Sequence, residues 1–143
     1  MSYLMDTNVL SEARKGSRAA LGVRNWLVSV DAEDLYVSVL ALGEIRRGIE
    51  KLRPQDPDQA HVIERWLETL HQEFSDRVVP VSLAVADEWG RMSPLNPLPA
   101  IDGLMAATAK VMNLTMVTRN VRHYAGTDLR LLNPFDDTSV RFR

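Results

Sequence analysis

The sequence contains no cysteine, and this absence removes two classes of protein. A chain without cysteine cannot be a disulfide-stabilised scaffold, and it cannot bind a metal ion through thiolates. Long apolar runs are absent as well. The longest mostly apolar stretch, residues 35–43, is well short of the ~20 residues that span a bilayer. We therefore expect no membrane association.

The N-terminus lacks the basic segment of a secretory signal and carries Asp6 inside its apolar run. This pattern predicts a cytoplasmic protein. Positive charge is not in excess either, because 17 Lys and Arg stand against 19 Asp and Glu, a net charge of −2. The field of the whole molecule therefore does not attract nucleic acid, and binding of RNA would depend on local groups of arginines.

The 143 residues contain no low-complexity tract, internal repeat or linker that we can detect. This length predicts one domain with a real core. We expect the domain to cover residues 1–135 and a polar C-terminal tail to cover residues 136–143.

Short apolar runs alternate with helix-compatible segments along the chain. The predicted strands are residues 3–5, 35–37, 78–79, 115–117 and 131–132. The predicted helices cover residues 7–15, 17–30, 82–91 and 100–112, one helix from Ser38 to a point before Pro54, and one that starts at Asp56 or Asp58. Such alternation predicts an α/β protein with a parallel sheet covered by helices on both faces.

A carboxylate occurs where the first strand gives way to a helix. Asp6 follows the apolar run Tyr3–Met5, and Thr7 and Asn8 follow it. In open α/β sheets, ligands bind outside the carboxyl ends of the strands. Asp6 could therefore belong to a binding site. It could equally cap the following helix, a role worth ~1 kcal/mol.

Two further acids occupy comparable positions. Asp102 is the sole acid in a helix of apolar and small residues, so it needs helix amides or a metal ion as partners. Glu44 lies in the helix after the second strand, and it is either a surface residue near Arg46 and Arg47 or it faces the same edge as Asp6. Three converging carboxylates would suit Mg²⁺ or Mn²⁺. Such clusters hold the ions that support phosphodiester cleavage.

Four segments resemble, in order and spacing, the sequence blocks of PIN-domain ribonucleases: MDTNVLSE, SVLALGEIRRGI, PAIDGLMAATA and MVTRNVRHY. The whole arrangement is similar to the VapC toxins of bacterial toxin–antitoxin pairs, in particular the FitB-like group. The resemblance implies a three-layer α/β/α sandwich with a mainly parallel sheet of about five strands. It also implies a Mg²⁺-dependent endoribonuclease acting on RNA, in which Mn²⁺ can substitute.

The resemblance also implies partners. It predicts a cognate VapB-like antitoxin that occupies the active-site groove, homodimerisation of the chain, and higher assemblies with the antitoxin. Contact with operator DNA would occur only through the antitoxin.

Carried over residue by residue, Asp6, Glu44 and Asp102 match the acidic metal-binding and catalytic positions. The residues expected to position substrate or ligands are Thr7, Asn8, Thr118 and Asn120. The candidates for phosphate contacts are Arg119, Arg122 and Arg46, with Arg14 and Arg47 as weaker ones.

The fourth block departs from the family pattern. Family members often carry an acid at the position of Asn120 or of His123, and neither is acidic here. We therefore expect one tightly bound ion, with a second arriving with the substrate phosphate. His123 is either a surface residue or a group that transfers a proton to the leaving oxygen.

Two alternatives remain open. The missing acid would suit a binding module that holds antitoxin or RNA without cutting it. A different Asp-dependent phosphoryl-transfer fold, such as a receiver domain, also has an acid after its first strand. Receiver domains need a paired acid and a late lysine, which the Thr118–Asn120 segment does not supply.

Overall fold

The computed structural model describes residues 1–136, which form five strands and six α-helices. The strands are β1 (Tyr3–Met5), β2 (Leu35–Ser38), β3 (Val78–Val79), β4 (Thr115–Val117) and β5 (Leu131–Leu132). The helices are α1 (Thr7–Ala13), α2 (Leu21–Ser29), α3 (Val39–Leu52), α4 (Pro57–Glu73), α5 (Leu83–Met92) and α6 (Ala100–Val111). Apart from Asp136, the predicted C-terminal tail lies outside the described residues. No helix within residues 1–136 is long and apolar enough to cross a membrane.

The five strands form one parallel sheet in the order β3-β2-β1-β4-β5. The chain steps in one direction from β1 to β3, then returns past β1 to add β4 and β5. Because parallel crossovers are right-handed, this reversal places α5 and α6 on the face opposite α1 to α4. The predicted α/β/α sandwich is thereby confirmed. The strand order reverses between β1 and β4, where open α/β sheets bind ligands.

The sheet forms the centre of the hydrophobic core. Leu4, Val37 and Met116, one on each of the three middle strands, are completely buried. Helix α6 is buried from Met105 to Ala109, as its small and apolar composition predicts. At Gly103 of α6, a Cβ atom would lie only 3.0 Å from the ring of Trp89. The glycine therefore permits close packing of α5 on the helix that carries Asp102.

Three predicted helix starts are confirmed by side-chain caps. Ser38, Asp56 and Ser82 each accept a hydrogen bond from a backbone amide in the first turn of α3, α4 and α5, respectively. Such caps satisfy amides that have no partner inside the helix. The cap at Ser38 matters for the site, because it fixes where α3, the helix of Glu44, leaves the sheet.

The predicted start of the second helix at Ser17 is wrong. Residues Gly16–Arg18 form a short 3₁₀ turn that begins at Gly16 with φ +59°, and α2 begins at Leu21. The backbone amide of Ala20 donates to the Glu12 carboxylate of α1 at 2.8 Å. The residue that precedes α2 is therefore held by a side chain of another helix, which no local pattern indicates.

Candidate active site

Asp6 lies at the carboxyl end of β1, at the point where the strand order reverses. Its backbone amide donates to the carbonyl of Val117 at 2.9 Å, so the ends of β1 and β4 are held together. Its carboxylate accepts hydrogen bonds from the Thr7 amide and the Thr118 hydroxyl, both at 2.8 Å. Asp6 therefore caps α1 and also lies at the point where the strand order reverses, which we call the switch point. Its two interpretations, a helix cap and a member of a binding site, are compatible.

Glu44 and Asp102 approach the same point from opposite faces of the sheet. Glu44, on α3, accepts a hydrogen bond from the Thr7 hydroxyl at 2.6 Å. Asp102, in the first turn of α6, lies 3.0 Å from Nε2 of His123. Each carboxylate is therefore in hydrogen-bond contact with the short segment that follows β1 or β4.

These side chains line a single open cleft of about 1080 Å³ at the carboxyl edge of the sheet. We call it the acidic cleft. Its lining residues are Asp6, Thr7, Asn8, Glu44, Asp102, Arg119, Asn120, Val121, Arg122, His123, Tyr124 and Asn133. The structure thus brings together most of the residues that the sequence singled out. Thr118 is buried beneath the cleft and reaches it through its bond to Asp6.

The carboxylates of the acidic cleft act on one another electrostatically. The pKa of Asp6 is raised above its ordinary value of 3.8, mainly because burial disfavours the charged form. The hydrogen bonds from Thr118 and the Thr7 amide oppose this shift, and the negative charges of Asp102 and Glu44 add to it. Burial and the same three carboxylates also raise the pKa of the Tyr124 hydroxyl. The site therefore concentrates negative charge that a bound cation would relieve.

The segment after β4 is fixed from both sides of the cleft. The Arg119 amide donates to the Asn8 side chain at 3.2 Å, and the Asn120 amide donates to the Thr118 hydroxyl at 3.0 Å. The Asn8 side chain also lies 3.4 Å from Asp6 and from Thr118. Asn8 and Thr118 therefore tie this segment to Asp6, as expected for residues that position a ligand.

Two arginines flank the cleft. The Arg119 guanidinium lies 4.1 Å from the centre of the Phe135 ring, a stacked cation–π contact. Arg122 lines the cleft and is exposed. Within residues 1–136, neither arginine forms an ion pair with a carboxylate. Both therefore bring positive charge to the acidic cleft.

The structure does not bring Arg46 to the cleft, so its placement corrects the expectation of a phosphate contact there. Arg46 pairs with Glu50 one turn along α3 and with Glu64 of α4. Arg53 pairs with the same two glutamates, at 2.9 Å in each case. We call Arg46, Glu50, Arg53 and Glu64 the α3–α4 clasp. Arg46 joins two helices because α4 packs against the face of α3 that bears it.

Comparison with known proteins identifies the family. A sequence model of the PIN domain matches residues 3–127. The chain belongs to the PIN domain family. The family blocks that carry Asp6, Glu44 and Asp102 all fall inside the matched range.

Two curated relatives extend over almost the whole chain. It is similar to the Toxin FitB of Neisseria gonorrhoeae, with 31% identity over 94% of this chain and 99% of that protein. It is also similar to the VapC ribonuclease Y4jK of Sinorhizobium fredii, with 25% identity over 93% of this chain and 97% of that protein.

Solved structures agree on the fold. The crystal structure of FitAcB from Neisseria gonorrhoeae matches with a TM-score of 0.83 and 30% identity, over 94% of this chain and 99% of that one. A toxin–antitoxin complex from Klebsiella pneumoniae matches with a TM-score of 0.71 at 22% identity, over 93% of this chain and 98% of that one. At that level of identity, the second match supports the fold alone.

The residue types of this PIN domain fit a hard divalent cation. Three carboxylates surround one cleft, and within residues 1–136 none of them pairs with a lysine or arginine. The described residues hold no ready-made group of three acidic or histidine side chains around one point. The oxygens of the three cleft carboxylates are instead hydrogen-bonded to Thr7, Thr118 and His123. The chemistry of the donors therefore fits Mg²⁺ or Mn²⁺, and a cation would compete with these protein hydrogen bonds.

Sequence reasoning missed two aromatic residues of the site. Tyr124 is buried beside the carboxylates, and Phe135 supports Arg119. Tyr124 ends the fourth sequence block, so its position next to His123 was a usable signal. The contact of Phe135 depends on how the chain after β5 returns to the switch point, and nothing in the sequence pattern indicates that path.

Proposed function

We propose that this PIN domain is a Mg²⁺- or Mn²⁺-dependent endoribonuclease and the toxin of a type II toxin–antitoxin pair. The observation that carries the proposal is the convergence of Asp6, Glu44 and Asp102 on one cleft, where none of the three forms an ion pair with a lysine or arginine of residues 1–136. The ribonuclease name of one full-length relative and the toxin name of another support the activity and the biological role.

In this proposal, the three carboxylates hold the cation and the surrounding residues hold the carboxylates and the RNA. A bound Mg²⁺ or Mn²⁺ would lower the pKa of a water molecule and neutralise charge on the scissile phosphate. The hydrogen bonds from Thr118 and the Thr7 amide orient Asp6 and oppose the rise of its pKa, and the Thr7 hydroxyl orients Glu44. Phe135 keeps the Arg119 guanidinium ready to bind phosphate.

The number of ions follows from the same residues. Asn120 and His123 lie at the cleft, and neither offers a carboxylate. Our proposal is therefore one tightly bound ion, with a second ion recruited by the substrate phosphate. If two ions are needed, RNA cleavage should rise more steeply with the concentration of free Mg²⁺ than binding of the first ion does.

The test is a titration of the purified protein with Mg²⁺ and with Mn²⁺ on a mixed RNA substrate. We expect internal cleavage that rises with metal concentration and stops on addition of EDTA. Cleavage that persists in EDTA would contradict metal dependence. A protein that binds RNA or antitoxin in the presence of Mg²⁺ without cutting would instead support the second candidate, a silent PIN domain, which the absence of a fourth acid favours.

We propose further that the chain acts in the cytoplasm as a homodimer and binds a VapB-like antitoxin, forming higher assemblies that contact operator DNA through the antitoxin. The name of the relative Toxin FitB, which is 31% identical over almost the whole chain, supports this choice of partner. Co-expression with the protein of the adjacent upstream reading frame should yield a stable complex of larger mass, measured by light scattering, in which RNA cleavage is suppressed. A complex that cleaves RNA as fast as the free protein would rule out antitoxin function for that partner.

A further inference from the structure

The carboxylate of Asp102 is bonded to an imidazole. Nε2 of His123 lies 3.0 Å from Oδ2 of Asp102, within ordinary hydrogen-bond distance. A carboxylate oxygen accepts hydrogen bonds, so an imidazole that carries its proton on Nε2 is the donor in this contact. The contact engages Oδ2 and restrains how the carboxylate is turned, together with the Tyr124 hydroxyl, which also hydrogen-bonds to Asp102.

His123 is itself held in place by a buried neighbour. Its ring stands edge-on to the ring of Tyr124, with the centroids 5.1 Å apart and the planes at 84°. Tyr124 is 1% exposed, and both residues belong to the 3₁₀ helix Val121–Tyr124. Packing against the buried Tyr124 ring therefore restrains the imidazole of His123, unlike that of a histidine that projects freely from the surface.

One short segment contacts two of the three cleft carboxylates. Thr118 donates to Asp6 at the start of this segment, and His123 donates to Asp102 near its end. The Asn120 amide is bonded to the Thr118 hydroxyl between them, at the start of the 3₁₀ helix. Residues 118–123 therefore set the orientation of Asp6 and Asp102 relative to each other.

We propose that His123 is a positioning residue, which orients Asp102 for the cation by donating its Nε2 proton to Oδ2. The inference rests on the proposed function, because it assigns a role within the same site. Carboxylates that bind metal ions are themselves hydrogen-bonded by outer groups, and loss of such a group lowers metal affinity by about 10- to 100-fold. His123 acts on the ligand and does not itself contact substrate.

The test compares Mn²⁺ binding to the full-length wild type, His123→Leu and His123→Gln by isothermal titration calorimetry. Leucine removes the donor at similar volume, whereas the glutamine amide can donate from nearly the same place. We expect the dissociation constant of His123→Leu to rise by about 10- to 100-fold. His123→Gln should stay close to the wild-type value. His71→Leu, at an exposed position on α4, is the matched control and should bind as the wild type does.

A second measurement on the metal-free protein checks the contact itself. Long-range ¹H–¹⁵N spectra should show His123 protonated at Nε2 in the wild type, with a changed signal in Asp102→Asn. Circular dichroism establishes that each variant is folded. If the wild type binds Mn²⁺ and His123→Leu binds it equally or more tightly, the positioning role is wrong and the proposed function stands. If the wild type binds no Mn²⁺, both are overturned.

Discussion

Two groups of carboxylates in this molecule have opposite surroundings. In the α3–α4 clasp, Glu50 and Glu64 each pair with arginines, and these pairs lower the pKa of Glu50 from 4.5 to about 2. In the acidic cleft, burial and neighbouring negative charge raise the pKa of Asp6. The protein therefore neutralises its own carboxylates where they join helices. In the cleft, no lysine or arginine of residues 1–136 pairs with the three carboxylates, and we propose that a bound cation neutralises them.

The two groups also differ in what holds them in place. The clasp is built from long side chains on the exposed surfaces of two helices, where screening by solvent makes ion pairs weak. Asp6 is instead buried and fixed by the backbone and hydroxyl donors of Thr7 and Thr118. Hydrogen bonds of this kind orient a carboxylate without cancelling its charge. This difference suits the clasp to packing and the cleft to binding a cation.

The largest expected difference between the acidic cleft and the α3–α4 clasp is a loss of RNA cleavage when a cleft carboxylate is replaced. Asp102→Asn removes a proposed cation ligand while keeping the shape of the side chain. Because loss of an outer partner alone costs about 10- to 100-fold, loss of the ligand should reduce RNA cleavage by more than about 100-fold. Cleavage rates with Mg²⁺ measure this effect, with the melting temperature as a check on folding.

The control for that variant comes from the clasp. Glu50→Gln also neutralises one carboxylate, but it lies outside the acidic cleft, so cleavage should stay at the wild-type rate. Equal losses of activity in Asp102→Asn and Glu50→Gln would show that the cleft carboxylates have no special role. Wild-type activity in Asp102→Asn would remove Asp102 from the mechanism.

The second effect is on stability without metal. The pKa of Asp6 in the folded state is raised above 3.8, its ordinary value. At a pH between 3.8 and that raised pKa, the folded state therefore binds more protons than the unfolded state. The free energy of unfolding falls as the pH rises through this window. Asp6→Asn removes this penalty. Near neutral pH, we expect its melting temperature in EDTA to exceed that of the wild type by on the order of a few degrees.

That gain should shrink as the pH falls below 3.8, where Asp6 is protonated in both states. Thermal unfolding followed by circular dichroism across this range measures the difference. A variant less stable than the wild type at neutral pH would mean that the hydrogen bonds of the Asp6 carboxylate outweigh the cost of burying its charge. Mn²⁺ should stabilise the wild type more than Asp6→Asn.

Local sequence signals were sufficient for the sheet and for most helix starts. All five predicted strands are present, because short apolar runs bounded by turn residues have few other uses in a chain of this kind. Helix starts at Ser38 and Ser82 were predictable since their caps lie in the adjacent sequence. The start of α2 was not, because α2 has no side-chain cap and the residue before it, Ala20, is held by Glu12 on another helix.

The same distinction separates what could be predicted of the site. Asp6 and Thr118 follow strands, so the topology of the sheet alone brings them together. The partners of Arg46 and His123 depend instead on how α4 packs on α3 and how the 3₁₀ helix approaches α6. Periodicity along one element does not contain that information. The sequence therefore did not indicate the ion pairs of Arg46 with Glu50 and Glu64, and the contact of His123 with Asp102 was missed.

The smallest expected effect lies in the clasp. Glu64→Gln removes the charge that bridges Arg46 and Arg53. Because these groups are partly exposed to solvent, the melting temperature should fall only slightly, and the difference should decrease as salt shortens the screening distance from about 10 Å at 0.1 M to about 3 Å at 1 M. RNA cleavage should not change.

The pH dependence of the clasp has the opposite sign to that of Asp6. The pKa values of Glu50 and Glu64 are lowered by their arginines, so their contribution is present above the ordinary value of 4.5 and is lost as the pH falls through the native values, about 2 for Glu50. The stability difference between wild type and Glu64→Gln should therefore vanish in acid. The difference for Asp6→Asn vanishes there too, but at neutral pH the wild type is the less stable protein in that comparison and the more stable one in the Glu64→Gln comparison. A clasp variant that gained stability at neutral pH would show that its glutamates, like Asp6, are a cost to the fold.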